Sequence, residues 1–109
     1  MVTHKVTPQF KSWLLVWYMG SHNLISFIAR SKRRREVLKL FSKGEKTQPE
    51  IMKSTGLYKS HTSRVIKELL DEKLIICKNP EDREFKFYKI SVLGKKILNG
   101  AERLVGLKD

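Results

Sequence analysis

Phe10, Trp13, Leu14 and Trp17 fit one helical face, yet Leu15, Val16, Tyr18 and Met19 make the same segment apolar all round. A segment of that kind must be covered, by its own domain or by a second copy. Leu24, Ile25, Phe27 and Ile28, and then Val37, Leu38, Leu40 and Phe41, keep helical spacing on either side of the charged run RSKRRRE. Four basic residues in a first turn oppose the helix dipole. The spacing therefore predicts one helix over about 24–42, with Ser31 open as an N-cap that would kink it.

Polar punctuation separates the remaining elements. Thr47 and Glu50 have capping-box spacing and Pro49 suits a first turn, so a short helix is expected over about 48–54, stopping at Gly56. In the stretch YKSHTSRVIKELL, a step of about 100° per residue groups Thr62, Val65, Ile66, Leu69 and Leu70 on a buried side. Ser60, Arg64 and Lys67 point the opposite way, with His61 and Ser63 on the flanks. The β-favouring runs 74–78 and 85–90 flank NPEDRE and predict a hairpin. Ser91 caps a last helix in which Leu93, Ile97, Ala101, Leu104 and Val105 recur at helical spacing. Residues 1–9 show no periodicity and read as a loose arm.

Composition narrows the function classes. A chain of 109 residues holds one modest core, divided here into an N-terminal arm and apolar segment (1–22) and a folded domain (23–109). Lys and Arg outnumber Asp and Glu 23 to 11, and a net charge of +12 favours a polyanionic partner. Residues 30–46 carry a net +6 of it, in a run that continues with helical period into EVLKLF, unlike a disordered basic tail. The single cysteine, Cys77, excludes an internal disulfide framework, so a cytoplasmic setting is expected. The apolar run 13–19 is far short of the roughly 20 residues of a membrane span. Met19 precedes the folded region closely enough that translation could start there.

Two kinds of chemistry compete at Ser60, His61 and Ser63. A serine nucleophile needs its base within hydrogen-bond reach, and adjacent helical residues diverge by about 100°. No carboxylate is evident to orient His61, and no glycine-rich turn offers an oxyanion site, so no enzyme activity is expected. Base recognition needs only short polar and basic side chains on an outward helix face. The expected base readers are Lys59, Ser60, His61, Ser63 and Arg64, with Ser60 open as a helix cap instead. His4, His22, His61 and Cys77 lack ligand spacing, so no metal and no cofactor is expected.

Helix, short helix, tight turn, helix, hairpin, helix is the order of a winged helix-turn-helix, a mainly α fold with a small β-hairpin wing (α+β). From about Leu24 to Leu98 the pieces FIARSKRRREVLKLF, KTQPEIMKSTGL, SHTSRVIKELLDEKLI and NPEDREFKFYKISVLGK, with their spacing, resemble the small winged-helix transcriptional regulators common in archaea, related to the MarR and ArsR classes. Three positions depart from that pattern. Tyr58 stands where a small capping residue is usual, Lys73 where a glycine ends the recognition helix, and Phe85 where the wing has a glycine. The resemblance implies a sequence-specific regulator of double-stranded DNA, with helix 59–72 in the major groove and a wing over 74–90.

Phosphate contacts are then expected from Lys32, Arg33, Arg34 and Arg35, two or three of them and not all, from Lys67, and from Thr47 and Gln48 at a helix start. Others of the run would pair with Asp71 and Glu72 or face water. Arg83 and Lys86 are the wing candidates. Trp13, Leu14 and Trp17, with Ile97 and Leu104, exceed what a minimal winged helix needs and point to a homodimer. No membrane partner is expected, and an effector stays unknown. Two rivals remain: a sequence-independent architectural DNA binder, and a protein-interaction module using Ile76, Phe85 and Phe87.

Overall fold

Ser31 divides the segment that its neighbours suggest as one helix. In the computed structural model, which describes residues 23–108, α1 (23–29) ends at Arg30 and α2 (Lys32–Ser42) starts behind Ser31. The serine backbone is extended, and its Oγ accepts from the Arg34 amide at 3.3 Å. The expected continuous helix over 24–42 is thus corrected to two. The Arg34 guanidinium donates to the Phe27 carbonyl at 3.2 Å, and that of Arg35 to the Ala29 carbonyl at 2.8 Å. Those carbonyls lie at the negative end of α1. The arginines that would repel the start of α2 instead stabilise the end of the helix before it.

α3 (Gln48–Thr55) carries the expected capping box: Thr47 Oγ1 accepts from the Glu50 amide at 3.4 Å, and Glu50 Oε1 from the Thr47 amide at 2.8 Å. Gly56 ends it in a left-handed conformation, φ 74°. α4 (Lys59–Asp71) follows after a tight turn and buries Thr62, Val65, Ile66 and Leu69. Its N-cap is Tyr58, which makes no side-chain cap bond, so Ser60 lies inside the helix and is not the cap. At the other end Lys73 takes φ 63°, with its amide on the Leu70 carbonyl at 3.0 Å and the Leu74 amide on the Leu69 carbonyl at 2.9 Å. That is the Schellman arrangement which glycine usually serves, built here around a lysine.

β1 (Ile75–Cys77) and β2 (Tyr88–Ile90) pair antiparallel, Ile75 opposite Ile90, Ile76 opposite Lys89, and Cys77 opposite Tyr88. Lys46 adds a one-residue bridge to Tyr88, with both hydrogen bonds at 2.9–3.0 Å, so the approach to α3 is stitched to the sheet edge. The strands are shorter than the runs 74–78 and 85–90 because Asn79 replaces the ladder: its amide donates to the Phe85 carbonyl at 2.6 Å and its Oδ1 accepts from the Phe87 amide at 2.8 Å.

α5 (Val92–Lys108) starts at Ser91, whose Oγ accepts from the Gly94 amide at 2.9 Å and lies 2.7 Å from the Lys73 carbonyl. A Cβ at Gly94 would stand 2.1 Å from the Leu74 carbonyl oxygen, so the close approach of α5 to the backbone just before β1 requires glycine there. One cluster joins all elements, with Ile28, Leu38, Phe41, Ile51, Leu69, Leu74, Ile75 and Ile97 among its buried members. Ile97 is 1 % exposed, which corrects its assignment to a dimer contact: it belongs to the monomer core. Leu104 is half-buried. Trp13, Leu14 and Trp17 lie outside the described residues. Among the described residues no helix is long and apolar enough to cross a membrane.

Candidate nucleic-acid interface

α4 is gripped on both flanks, which leaves its outward face clear. On the flank toward α2, Glu68 accepts from Arg34 Nη2 at 2.9 Å and Nε at 3.3 Å. The same guanidinium lies 3.9 Å above the Phe27 ring. Two turns earlier His61 Nδ1 accepts from Arg33 Nη1 at 3.4 Å, and the His61 ring meets Tyr58 edge-on at 6.3 Å. On the flank toward α3, Ser63 Oγ accepts from Gln48 Nε2 at 2.8 Å. Underneath, Thr62 is wholly buried and returns its hydroxyl proton to the Tyr58 carbonyl at 2.9 Å.

Between the flanks Ser60, Arg64 and Lys67 are exposed and have no hydrogen-bond or ion-pair partner among the described residues. Two cationic groups and a hydroxyl therefore face outward on a helix whose rotation and height are fixed by an ion pair, a hydrogen bond and a buried apolar side. That is the inventory needed to read base edges or phosphates.

Beside this face runs a groove of about 510 Å³, lined by Thr47, Gln48, Lys59, Arg83, Glu84 and Lys86 among others. Its floor is the start of α3 and its far wall is the wing. Three basic side chains against one carboxylate give it a positive field. The wing loop is internally braced: Asp82 Oδ1 accepts from the amides of Glu84 and Phe85, each at 2.9 Å. Those two backbone bonds, Phe85 first, hold the Asp82 carboxyl below its ordinary range. Glu50 is lowered likewise, chiefly by the Thr47 backbone amide.

The basic run splits in two. Arg34 and Arg35 are half-buried and bonded within the protein, whereas Lys32 and Arg33 are exposed. Lys32 has only a long i,i+4 contact to Glu36, 3.9 Å. The acidic partner of Arg34 is Glu68, not the expected Asp71 or Glu72, and Lys39 meets Glu102 at 3.4 Å. Sequence reasoning also missed the link from Gln48 to Ser63 and the bridge from Lys46 to Tyr88. A helical wheel puts Glu68 and Ser63 on opposite flanks of α4, but nothing local to α4 says which neighbour each flank meets. Ile76, Phe85 and Phe87 are 43 %, 61 % and 39 % exposed.

No family model matches the chain, and no curated protein matches it. Solved structures do. Reduced HlyU from Vibrio cholerae superposes with a TM-score of 0.66 at 17% identity, over 85% of this chain and 94% of that one. The homodimeric winged helix-turn-helix DNA-binding domain of a possible ArsR-family regulator from Mycobacterium bovis gives 0.62 at 17% identity, over 86% and 83%. A MarR mutant from E. coli complexed with operator DNA gives 0.63 at 17% identity, over 99% and 81%. The fold is therefore that of the winged helix-turn-helix domains.

Proposed function

We propose that this chain is a sequence-specific DNA-binding transcriptional regulator that acts as a homodimer in the cytoplasm, with α4 in the major groove and the wing along the adjacent backbone. The observation that carries the reading is the outward face of α4, where Ser60, Arg64 and Lys67 stand unpartnered among the described residues while both flanks are tied down. Arg64 is the leading base reader, since a guanidinium can bind guanine O6 and N7 together. Ser60 and Lys59 support it at the start of the helix. Lys67, Lys32 and Arg33 engage phosphate, and Arg34 and Arg35 serve the fold. Thr47 and Gln48 border the groove at the start of α3, with Arg83 and Lys86 on its wing side.

Structural neighbours add support: one is named as a homodimeric DNA-binding domain, another was solved with operator DNA. The apolar segment with Trp13, Leu14 and Trp17, together with Leu104, is the proposed dimer element of a chain divided at about residue 22. The exposed Ile76, Phe85 and Phe87 favour a second reading, a protein-interaction module.

Selection of bound duplexes from a random pool tests these readings together. An enriched palindrome is the expected result, because a two-fold protein reads two half-sites about one helical turn apart. Binding without enrichment would instead mark an architectural DNA binder with a steep salt dependence. Absence of binding at low salt would leave the protein-interaction module.

A further inference from the structure

Tyr88 opens β2 with its backbone and its ring both committed. Its amide and carbonyl pair with Lys46 at 2.9 and 3.0 Å, and its ring meets Phe41 edge-on at 6.2 Å. The residue is 9 % exposed, yet its hydroxyl makes no hydrogen bond among the described residues. No side-chain nitrogen or oxygen there is both sealed from solvent and unpaired, so this hydroxyl reaches the surface. Tyr88 borders the groove between the start of α3, Lys59 and the wing, and that is where the hydroxyl opens. The rest of the groove has charge but few neutral donors to spare. At the start of α3 the Thr47 amide is taken by Glu50, the Glu50 amide by Thr47, and Pro49 has no amide proton. Lys59, Arg83 and Lys86 line the walls against the single carboxylate of Glu84. Burial, and after it the neighbouring Cys77, pushes the Tyr88 hydroxyl above its ordinary value, so it keeps its proton. A phosphodiester carries negative charge and only accepts hydrogen bonds, which suits three cations and one neutral donor.

We propose that the Tyr88 hydroxyl donates to a phosphate of the DNA backbone seated in this groove, fixing in place the strand that Lys59, Arg83 and Lys86 attract. The inference rests on the DNA binding proposed above and holds for a sequence-specific and a sequence-independent binder alike. It divides the work between two kinds of group. The cations supply an attraction that weakens with salt, and the hydroxyl supplies a directed bond that releases no counterion. The backbone bridge prepares the contact: Lys46, which bonds Tyr88, directly precedes the Thr47 cap, so the hydroxyl and the start of α3 are held in one frame.

Tyr88→Phe in the full chain tests this, because it keeps the ring on Phe41 and deletes only the oxygen. Its Tm should stay within about 3 °C of wild type. Its duplex affinity should fall about 3- to 10-fold, the range of a single hydrogen bond, for every duplex alike. The slope of log Kobs against log salt should not change, whereas Lys86→Ala should flatten it by about 1. Neutral methylphosphonates placed one at a time along the bound duplex then locate the contact. At one position the substitution should weaken wild type distinctly more than Tyr88→Phe, a coupling that a merely structural hydroxyl would not produce. Equal affinity of Tyr88→Phe and wild type overturns the inference alone, as do equal methylphosphonate costs at every position. A Tm lowered well beyond the stated range overturns it too, by giving the hydroxyl a partner inside the fold. So does displacement of the duplex from wild type, but not from Tyr88→Phe, by inorganic phosphate at fixed ionic strength, the mark of a site for free phosphate. A wild-type chain that binds no duplex at low salt overturns the DNA-binding function and this inference with it.

Discussion

The two basic surfaces of this protein have the same sign of charge and different fates. In the run 32–35 the arginines at 34 and 35 are turned inward, onto Glu68, the Phe27 ring and the carbonyls that end α1. On α4 and the wing, Arg64, Lys67, Arg83 and Lys86 are exposed, with no ion-pair partner among the described residues. Charge density along a sequence is therefore a poor guide to charge available to a partner. The densest basic run contributes half of its arginine-rich core to holding α2 against α1 and α4. The sparser set on the outward face of α4 is the one left free.

Arg34→Ala offers the largest test of this contrast. It strands the half-buried Glu68 carboxylate and removes two further contacts, so it is expected to cost about 2–3 kcal/mol of folding stability. A thermal melt should show Tm lower by roughly 10–20 °C. Arg64→Ala should do the opposite: stability within about 0.5 kcal/mol of wild type, with about 1–3 kcal/mol lost at the preferred duplex and one base position relaxed. Equal melts for the two variants would erase the distinction between the surfaces.

Lys73 is a third kind of basic residue, one that strains the chain. Its left-handed conformation is unfavourable for any side chain, and Lys73→Gly should raise stability by about 0.5–1 kcal/mol in urea titration although a charge is lost. At the small end, Lys32→Ala should change stability by no more than about 0.3 kcal/mol, because its contact to Glu36 is long and exposed.

Acid is expected to loosen the wing loop. The folded Asp82 carboxyl is held below its ordinary value, so its contribution is present above the unfolded-state pKa and lost as pH falls through the folded one. Amide exchange at Glu84 and Phe85 should quicken in that acid range.

Much of the fold was legible locally. Thr47 and Glu50 announced the start of α3, Gly56 its end, and the spacing of Thr62, Val65, Ile66 and Leu69 the buried side of α4. The break at Ser31 was not, because the dipole argument weighed the basic run against its own helix alone, whereas Arg34 and Arg35 reach back to α1. Ile97 was misassigned for a related reason. Helical spacing identifies an apolar face, but only the packing of α5 decides whether that face meets its own core or a second copy. Lys73 and Tyr58 went against local preference, and the chain kept the helix ends that tertiary packing demands. At the candidate site the outward face was read correctly from periodicity, since rotation about a helix axis is a local property. The flanking ties to Arg33, Arg34 and Gln48 were hidden, since they depend on how three helices meet.

The salt dependence of duplex binding tests the difference between the two surfaces most directly. The slope of log Kobs against log salt counts the cations that displace counterions from phosphate, and it is insensitive to how stable the folded protein is as long as the protein is folded. Measured well below the melting temperature, Lys67→Ala should flatten the wild-type slope by about 1, while Arg34→Ala should leave it unchanged. A slope flattened by Arg34→Ala and untouched by Lys67→Ala would contradict the account, placing the DNA against the basic run and not against the outward face of α4.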